Sequence, residues 1–290
     1  MRVLIVGCGY IGMPLGTELS RMGHEVFGLR RTSVARAEMN SMGISPLEGD
    51  ISKPEQLARL PSGYDWVVNC VASSGGGADA YRMVYLLGSR NLVEWLRSVR
   101  PAKFLYTSST SVYGQTDGSW VNEDSPTEPA TETSKILVET ENFLLNAARE
   151  EGFPAVVLRV AGIYGPDRGH YFKQFKKGNA RIPGAGERLI NMIHRDDVVG
   201  SIIAALKQGC PGEVYNAVDD EPVTQLAFFQ WLANSLNAQL PPSASPEGVD
   251  RKRGLTHKKV SNRRLKLELG YQFKYPTFRE GYSAEILRDK

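Results

Sequence analysis

Val3-Leu4-Ile5-Val6-Gly7-Cys8-Gly9-Tyr10-Ile11-Gly12 is the stretch that decides the architecture of this 290-residue chain. Four apolar residues in a row suit a strand buried on both faces. The G-x-G-x-x-G that follows, running into a helical pattern through Met22, completes a strand–turn–helix unit. Each glycine has a mechanical role: Gly7 permits the tight turn, Gly9 lets backbone approach a pyrophosphate, and Gly12 lets the helix pack close to the strand. The backbone at Tyr10 and Ile11 then opens a helix N-terminus, whose N–H groups and dipole favour phosphate.

The second strand ends in Gly28-Leu29-Arg30-Arg31-Thr32-Ser33. A site for NAD usually carries Asp or Glu at this strand end, to hold the ribose 2′-hydroxyl. Glu25 lies too early to do so. Arg30 and Arg31 with two hydroxyls instead suit a 2′-phosphate, because guanidinium pairs with phosphate bidentately. NADP is therefore the expected cofactor, with NAD as the alternative and a solvated basic turn as the bland reading of the two arginines.

Further strands are expected at Glu25–Leu29, Trp66–Cys70, Lys103–Tyr106, Ala155–Val160 and Val214–Asn216. Helical patterns occupy Ala78–Val99, Ser134–Glu151 and Asp196–Lys207. Strands separated by helices imply βαβ units and a doubly wound parallel sheet covered on both faces. The expected organisation is a Rossmann-like dinucleotide-binding domain over residues 1–165, to which 194–218 return. A smaller C-terminal substrate-binding part takes 166–193 and 219–290.

Composition narrows the function. With 41% hydrophobic residues, a sizeable core is expected and disorder is not. Cys8, Cys70 and Cys210 are too far apart for a disulfide framework, and the four histidines are equally scattered, so no metal site is expected. Cys8 sits where a helix N-terminus lowers a thiol pKa, although a small loop-filling residue is the blander account. No stretch approaches the ~18 apolar residues of a membrane span, and the glycines arrive too early for a signal peptide. The cytoplasm is the expected location. Residues 251–266 hold eight Lys/Arg and no acid, which leaves the remainder net acidic although the whole chain is +3. One local patch suits a small anionic ligand or a solvated face better than nucleic acid, which calls for a basic domain. The partners expected are a small molecule, neither nucleic acid nor membrane, and a second copy of the chain if it assembles at all.

Several segments, in order over nearly the whole chain, resemble the extended short-chain dehydrogenase/reductase family, the NAD(P)-dependent epimerases and dehydratases. Gly49-Asp50-Ile51 is similar to its adenine-contacting segment. Phe104-Leu105-Tyr106-Thr107-Ser108-Ser109-Thr110-Ser111-Val112-Tyr113-Gly114 resembles its strand-five motif, and Ser134-Lys135-Ile136-Leu137-Val138-Glu139 its active-site helix. Leu158-Arg159-Val160 with Ile163-Tyr164-Gly165-Pro166, and Ile193-His194-Arg195-Asp196-Asp197-Val198, continue the series. The resemblance implies oxidoreductase activity on a small, phosphorylated or nucleotide-linked sugar held between the two parts. It gives Ser109 to the substrate oxygen and Lys135 to the nicotinamide ribose. It also turns Arg188 and Asn191 toward a nucleotide-sugar, and Arg251 or Arg253 in the basic patch would reach a substrate phosphate.

One departure carries chemical weight. The family's Y-x-x-x-K would place tyrosine at 131, and the sequence reads Thr131-Glu132-Thr133-Ser134-Lys135. A phenol starts near pKa ~10 and an aliphatic hydroxyl several units higher, so Thr131 cannot serve as the base. Tyr113, four residues past Ser109, is the expected substitute, with Glu132 and Tyr164 behind it. The blander account of Tyr113 is structural packing. If nothing substitutes, either the proton arrives through water or the chain is a non-catalytic NADP-binding sensor. His194 with Asp196-Asp197 reads first as a helix start, and only second as a ligand contact.

Overall fold

The computed structural model describes residues 1–73, 75–245 and 256–288. Seven parallel strands form one sheet: β1 (Arg2–Val6), β2 (Glu25–Arg30), β3 (Ile44–Glu48), β4 (Trp66–Asn69), β5 (Lys103–Ser109), β6 (Ala155–Val160) and β7 (Val214–Ala217). Their order across the sheet is β7-β6-β5-β4-β1-β2-β3. The order reverses between β1 and β4, and a doubly wound sheet opens its ligand crevice at that reversal, beyond the carboxyl ends of the strands.

Alternation along each strand feeds two cores. Val3 and Ile5 of β1 enter one apolar layer with Leu105, Val156 and Leu158. Leu4 and Val6 enter the opposite layer with Phe104, Tyr106 and Val157. On the first face lie α1 (Gly12–Arg21) and α4 (Arg195–Gln208). On the second lie α3 (Glu132–Glu151) and α2, which runs through Ala78–Tyr81, Arg82–Leu87 and Gly88–Leu96. The expected strands and helices are all present, with ends shifted by a few residues. The largest extension is in β5, which continues through Thr107, Ser108 and Ser109 in register with Leu158, Arg159 and Val160. Polar side chains hide that continuation from hydrophobic patterning. They are tolerated because they bond inward.

Ser108 Oγ donates to Glu141 Oε1 of α3 at 2.5 Å. Glu141 receives Arg159 of β6 through Nε at 3.0 Å and Nη2 at 2.7 Å. Arg159 Nη1 also donates to the Tyr113 hydroxyl at 2.8 Å, which donates to Asn216 Oδ1 of β7 at 2.9 Å. Three strands and a helix are thus tied by one buried chain of polar groups.

A third apolar cluster lies outside the sheet and includes Phe172, Ile182, Phe228, Phe229, Phe278 and Tyr282. It is built on α5 (Gln225–Leu236) and α6 (Phe278–Arg288), with two-stranded pairings such as Leu189–Ile190 against Val223–Thr224. Residues 259–269 do not join it. Lys259–Val260 pairs with Trp120–Val121, and Val260, Leu265 and Leu269 pack into the first sheet core.

Removing the Glu141 carboxylate strands the Arg159 guanidinium between β5 and α3. We expect Glu141→Ala to lose about 3–5 kcal/mol of stability in urea unfolding. A loss below 1 kcal/mol would show that the network does not bind these elements together.

Candidate active site

Beyond the carboxyl ends of β1, β2, β4 and β5 lies a cavity of about 650 Å³, within the size range of small-molecule sites. Its wall contains Gly7, Gly9, Tyr10, Ile11, Arg30, Arg31, Asp50 and Ile51, together with Ser109, so the phosphate loop, the β2 strand end and the Ser109 hydroxyl share one space.

The three glycines separate by role. Gly7 has φ +88°, and a Cβ there would come within 2.7 Å of the Val71 backbone. At Gly12 a Cβ would meet Gly7 O at 2.7 Å, as expected of the residue that seats helix on strand. A Cβ on Gly9 would meet nothing nearer than Gly7 O at 4.0 Å. The fold therefore leaves room at Gly9, and the glycine keeps backbone bare toward the cavity. The N-cap of α1, Ile11, supplies no side-chain hydrogen bond; Met13 N–H is spent on Gly9 O and Pro14 has none, so the N–H groups of Ile11 and Gly12 are the ones left for an acceptor in the cavity. This donor set fits the pyrophosphate of a dinucleotide.

Charge agrees. Arg30, Arg31 and Arg168 line the wall, against the single carboxylate of Asp50. Asp50 Oδ1 accepts from Ser52 N and Oγ, which fixes the turn after β3. Arg30 Nη1 donates to Cys8 O at 3.2 Å, and Arg168 stacks 4.9 Å over the Tyr10 ring. Burial pushes the Cys8 thiol up to about 12, and its Sγ lies 3.7 Å from Met13 Sδ, so it fills the loop as a neutral group.

On the opposite wall, Ser109 Oγ accepts from Ser111 N at 3.2 Å and Ser134 Oγ donates to Ser111 Oγ at 3.2 Å. The Ser109 hydrogen is not spent in either bond. Thr131 is the N-cap of α3, its Oγ1 accepting from Ser134 N. Capping sets the rotation of the helix: Ser134 and Leu137 face the cavity, whereas Lys135 is exposed and stands outside its wall.

Several expected residues are elsewhere. Tyr113 is fully buried, its hydroxyl held by Arg159 and Asn216, and burial pushes it up to about 12. It is a packing residue, and the substitute-base reading is corrected. Tyr164 stacks on Tyr282 at 4.2 Å outside the wall, and Glu132 is ion-paired with Arg82. Asn191 donates to Lys258 O and accepts from Val260 N, and Arg188 Nε bonds Thr256 O, so both hold the C-terminal segment rather than a ligand. His194 is fully buried between Asp196 N and Glu285 Oε1, and burial lowers its pKa. Arg251 and Arg253 lie outside the described residues. The rest of that patch is largely absorbed by the fold. Lys258 Nζ donates to Tyr113 O, while Arg264 pairs with Asp124 and Glu213, and Lys266 with Asp220.

Among the described residues no cluster of metal ligands occurs, and no helix is long and apolar enough to cross a membrane. Residues 3–217 match the NAD dependent epimerase/dehydratase family. The chain belongs to that family.

Protein YeeZ of Escherichia coli K12 is 30% identical over 282 residues, covering 95% of this chain and 96% of its own. A 2-alkyl-3-oxoalkanoate reductase of Shewanella oneidensis is 26% identical over 77% of this chain and 63% of its own. The fold matches DesIV, a dTDP-glucose 4,6-dehydratase of Streptomyces venezuelae solved with NAD and TYD, at a TM-score of 0.86 and 22% identity, over 100% of this chain and 98% of that one.

Within this epimerase/dehydratase chain, the wall residues that sequence reasoning missed include Tyr81 and Tyr85 on α2, Ser134, and Arg168. Tyr81 and Tyr85 recur at helical spacing just past the glycines at 75–77, the one signal that pointed to them.

Gly9→Ala is expected to keep the melting temperature within ~2 °C while weakening dinucleotide binding about tenfold or more. Gly7→Ala should instead destabilise by about 1–3 kcal/mol, because alanine is strained at its positive φ and the new Cβ collides with the Val71 backbone. Calorimetry and thermal melts separate the two, and unchanged binding in Gly9→Ala would remove the pyrophosphate from that loop.

Proposed function

We propose that this family member is an oxidoreductase preferring NADP(H), which interconverts a hydroxyl and a carbonyl on a small molecule. A phosphorylated or nucleotide-linked sugar is the substrate class proposed. The observation that carries the reading is the union, in one cavity, of the phosphate loop, the Arg30–Arg31 strand end and the Ser109 hydroxyl.

A nicotinamide dinucleotide bound there donates or accepts hydride. The chain's own residues do the rest. Gly9 and the free N–H groups of Ile11 and Gly12 receive the pyrophosphate. Arg30 and Arg31 face the adenosine end, where a 2′-phosphate adds charge that guanidinium favours. Ser109 holds the substrate oxygen and stabilises the negative charge that builds on it during reduction. Arg168 has no carboxylate partner among the described residues and supplies positive charge to the wall. It supports a substrate that carries phosphate. The S. oneidensis relative is a 2-alkyl-3-oxoalkanoate reductase by name, so 2-alkyl-3-oxoalkanoates belong in the substrate panel beside sugar phosphates and nucleotide-sugars.

A second reading, a nucleotide sensor without turnover, is favoured by Thr131, whose hydroxyl is used in capping α3. Turnover decides between them.

NADPH should bind more tightly than NADH. Arg30→Ala combined with Arg31→Ala should erase about 1.5–3 kcal/mol of that difference, the worth of a charge-assisted contact. Calorimetric titration measures both affinities. Equal affinities in the unaltered protein would overturn the NADP preference.

A further inference from the structure

The proposed reaction moves a proton as well as a hydride, and position 131 offers no phenol. We infer that Tyr81 of α2 is the catalytic proton donor and acceptor of this site. The inference rests on the oxidoreductase reading above.

Three phenols line the cavity, Tyr10, Tyr81 and Tyr85. Tyr10 is committed, its hydroxyl donating to Pro166 O at 2.9 Å. Tyr85 is committed as well, its oxygen accepting from Ser73 N at 3.1 Å. Tyr81 makes no hydrogen bond to any described residue. Its half-buried ring packs against Tyr85, with centroids 4.9 Å apart. Its oxygen is not fully buried, and the residue lines the cavity. Tyr81 is therefore a fixed ring with an available hydroxyl.

Its helix packs on α3, the helix capped by Thr131. Arg82, the next residue, spans Glu132 at 3.6 Å and Glu139 at 2.9 Å, two carboxylates of α3 that bracket Thr133, Ser134 and Leu137. That clamp sets Tyr81 against the N-terminal turns of α3, beside the wall that holds Ser109 and Ser111. The helix then widens into a π-helical stretch over Arg82–Leu87, a local insertion that often marks functional segments. Tyr81 and Tyr85 both line the cavity.

The step balances. In reduction, hydride from a dihydronicotinamide forms the new C–H bond as the carbonyl π bond breaks. The Tyr81 O–H bond breaks, and its proton goes to the substrate oxygen held by Ser109. The phenolate then takes a proton from cavity water, and oxidation runs the same path backwards. A phenol's ordinary pKa of ~10 makes this transfer far easier than for the aliphatic hydroxyls around it.

The test compares the unaltered protein with Tyr81→Phe, and adds Tyr81→Phe combined with Thr131→Tyr. Turnover is measured over the substrate panel. NADP⁺ affinity is measured by calorimetry, and nitration of Tyr81 by tetranitromethane is mapped with and without saturating NADP⁺. Expected are a turnover loss of about 10²–10⁴-fold in Tyr81→Phe, NADP⁺ affinity unchanged within about twofold, and protection of Tyr81 from nitration by NADP⁺. Partial recovery in the double variant would assign the loss to the phenol rather than to packing. Full turnover in Tyr81→Phe, or nitration indifferent to NADP⁺, overturns the role of Tyr81 while leaving the oxidoreductase reading intact. An unaltered protein that binds NADP⁺ and turns over nothing overturns both.

Discussion

The buried pair of Arg159 and Glu141 is the constraint on which the rest depends. Two opposite charges, 5% and 1% exposed, are 2.7 Å apart between β6 of the sheet and its covering helix. Taking such charges from water costs several kcal/mol each, offset only when every donor and lone pair is used. Here Ser108, Tyr113 and Asn216 complete the set. The carboxyl end of β5 is therefore held to α3 at one distance and one rotation. Ser109 follows directly from β5, and Ser134 from the first turn of α3. Their meeting at one cavity wall is a consequence of the network beneath them.

That arrangement also explains how the chain tolerates Thr131. A capping hydroxyl and a catalytic phenol make opposite demands on this position: the first bonds back to the helix, and the second must reach into the cavity. With Thr131 bonded to Ser134 N, α3 begins cleanly at Glu132 and its polar face turns outward with Lys135. Polar chemistry at the cavity then falls to hydroxyls of β5 and α3 and to the phenols that α2 brings across.

Outside the sheet, side chains whose types suggest ligands serve as fasteners. Asp197 accepts from Tyr271 Oη at 2.7 Å and from the backbone of Lys274 and Tyr275, which anchors the segment leading to α6. Asn191 does the same for residues 258–260. Backbone groups in irregular segments need partners as much as those in strands do, and buried Asp and Asn supply them. A residue type that recognises a sugar hydroxyl recognises a peptide group equally well.

The sequence by itself determined the sheet and the dinucleotide end of the cavity. Apolar runs of strand length, β-branched and separated by helical periods, admit a doubly wound sheet and little else. The roles of Gly7, Gly9 and Gly12 are backbone properties, set within ten residues. What the tertiary structure decided is the direction of each polar side chain. Tyr113 and Tyr81 are both tyrosines near the motif's end of the cavity. One points into the space between β6 and β7, where Arg159 and Asn216 hold it, and the other lines the cavity because Arg82 clamps its helix to α3. The basic run ending at Lys266 was legible as charge, but its partners Asp124, Glu213 and Asp220 come from distant parts of the chain. Local patterns fix burial because burial follows periodicity; partnership across 46 to 140 residues follows only from packing.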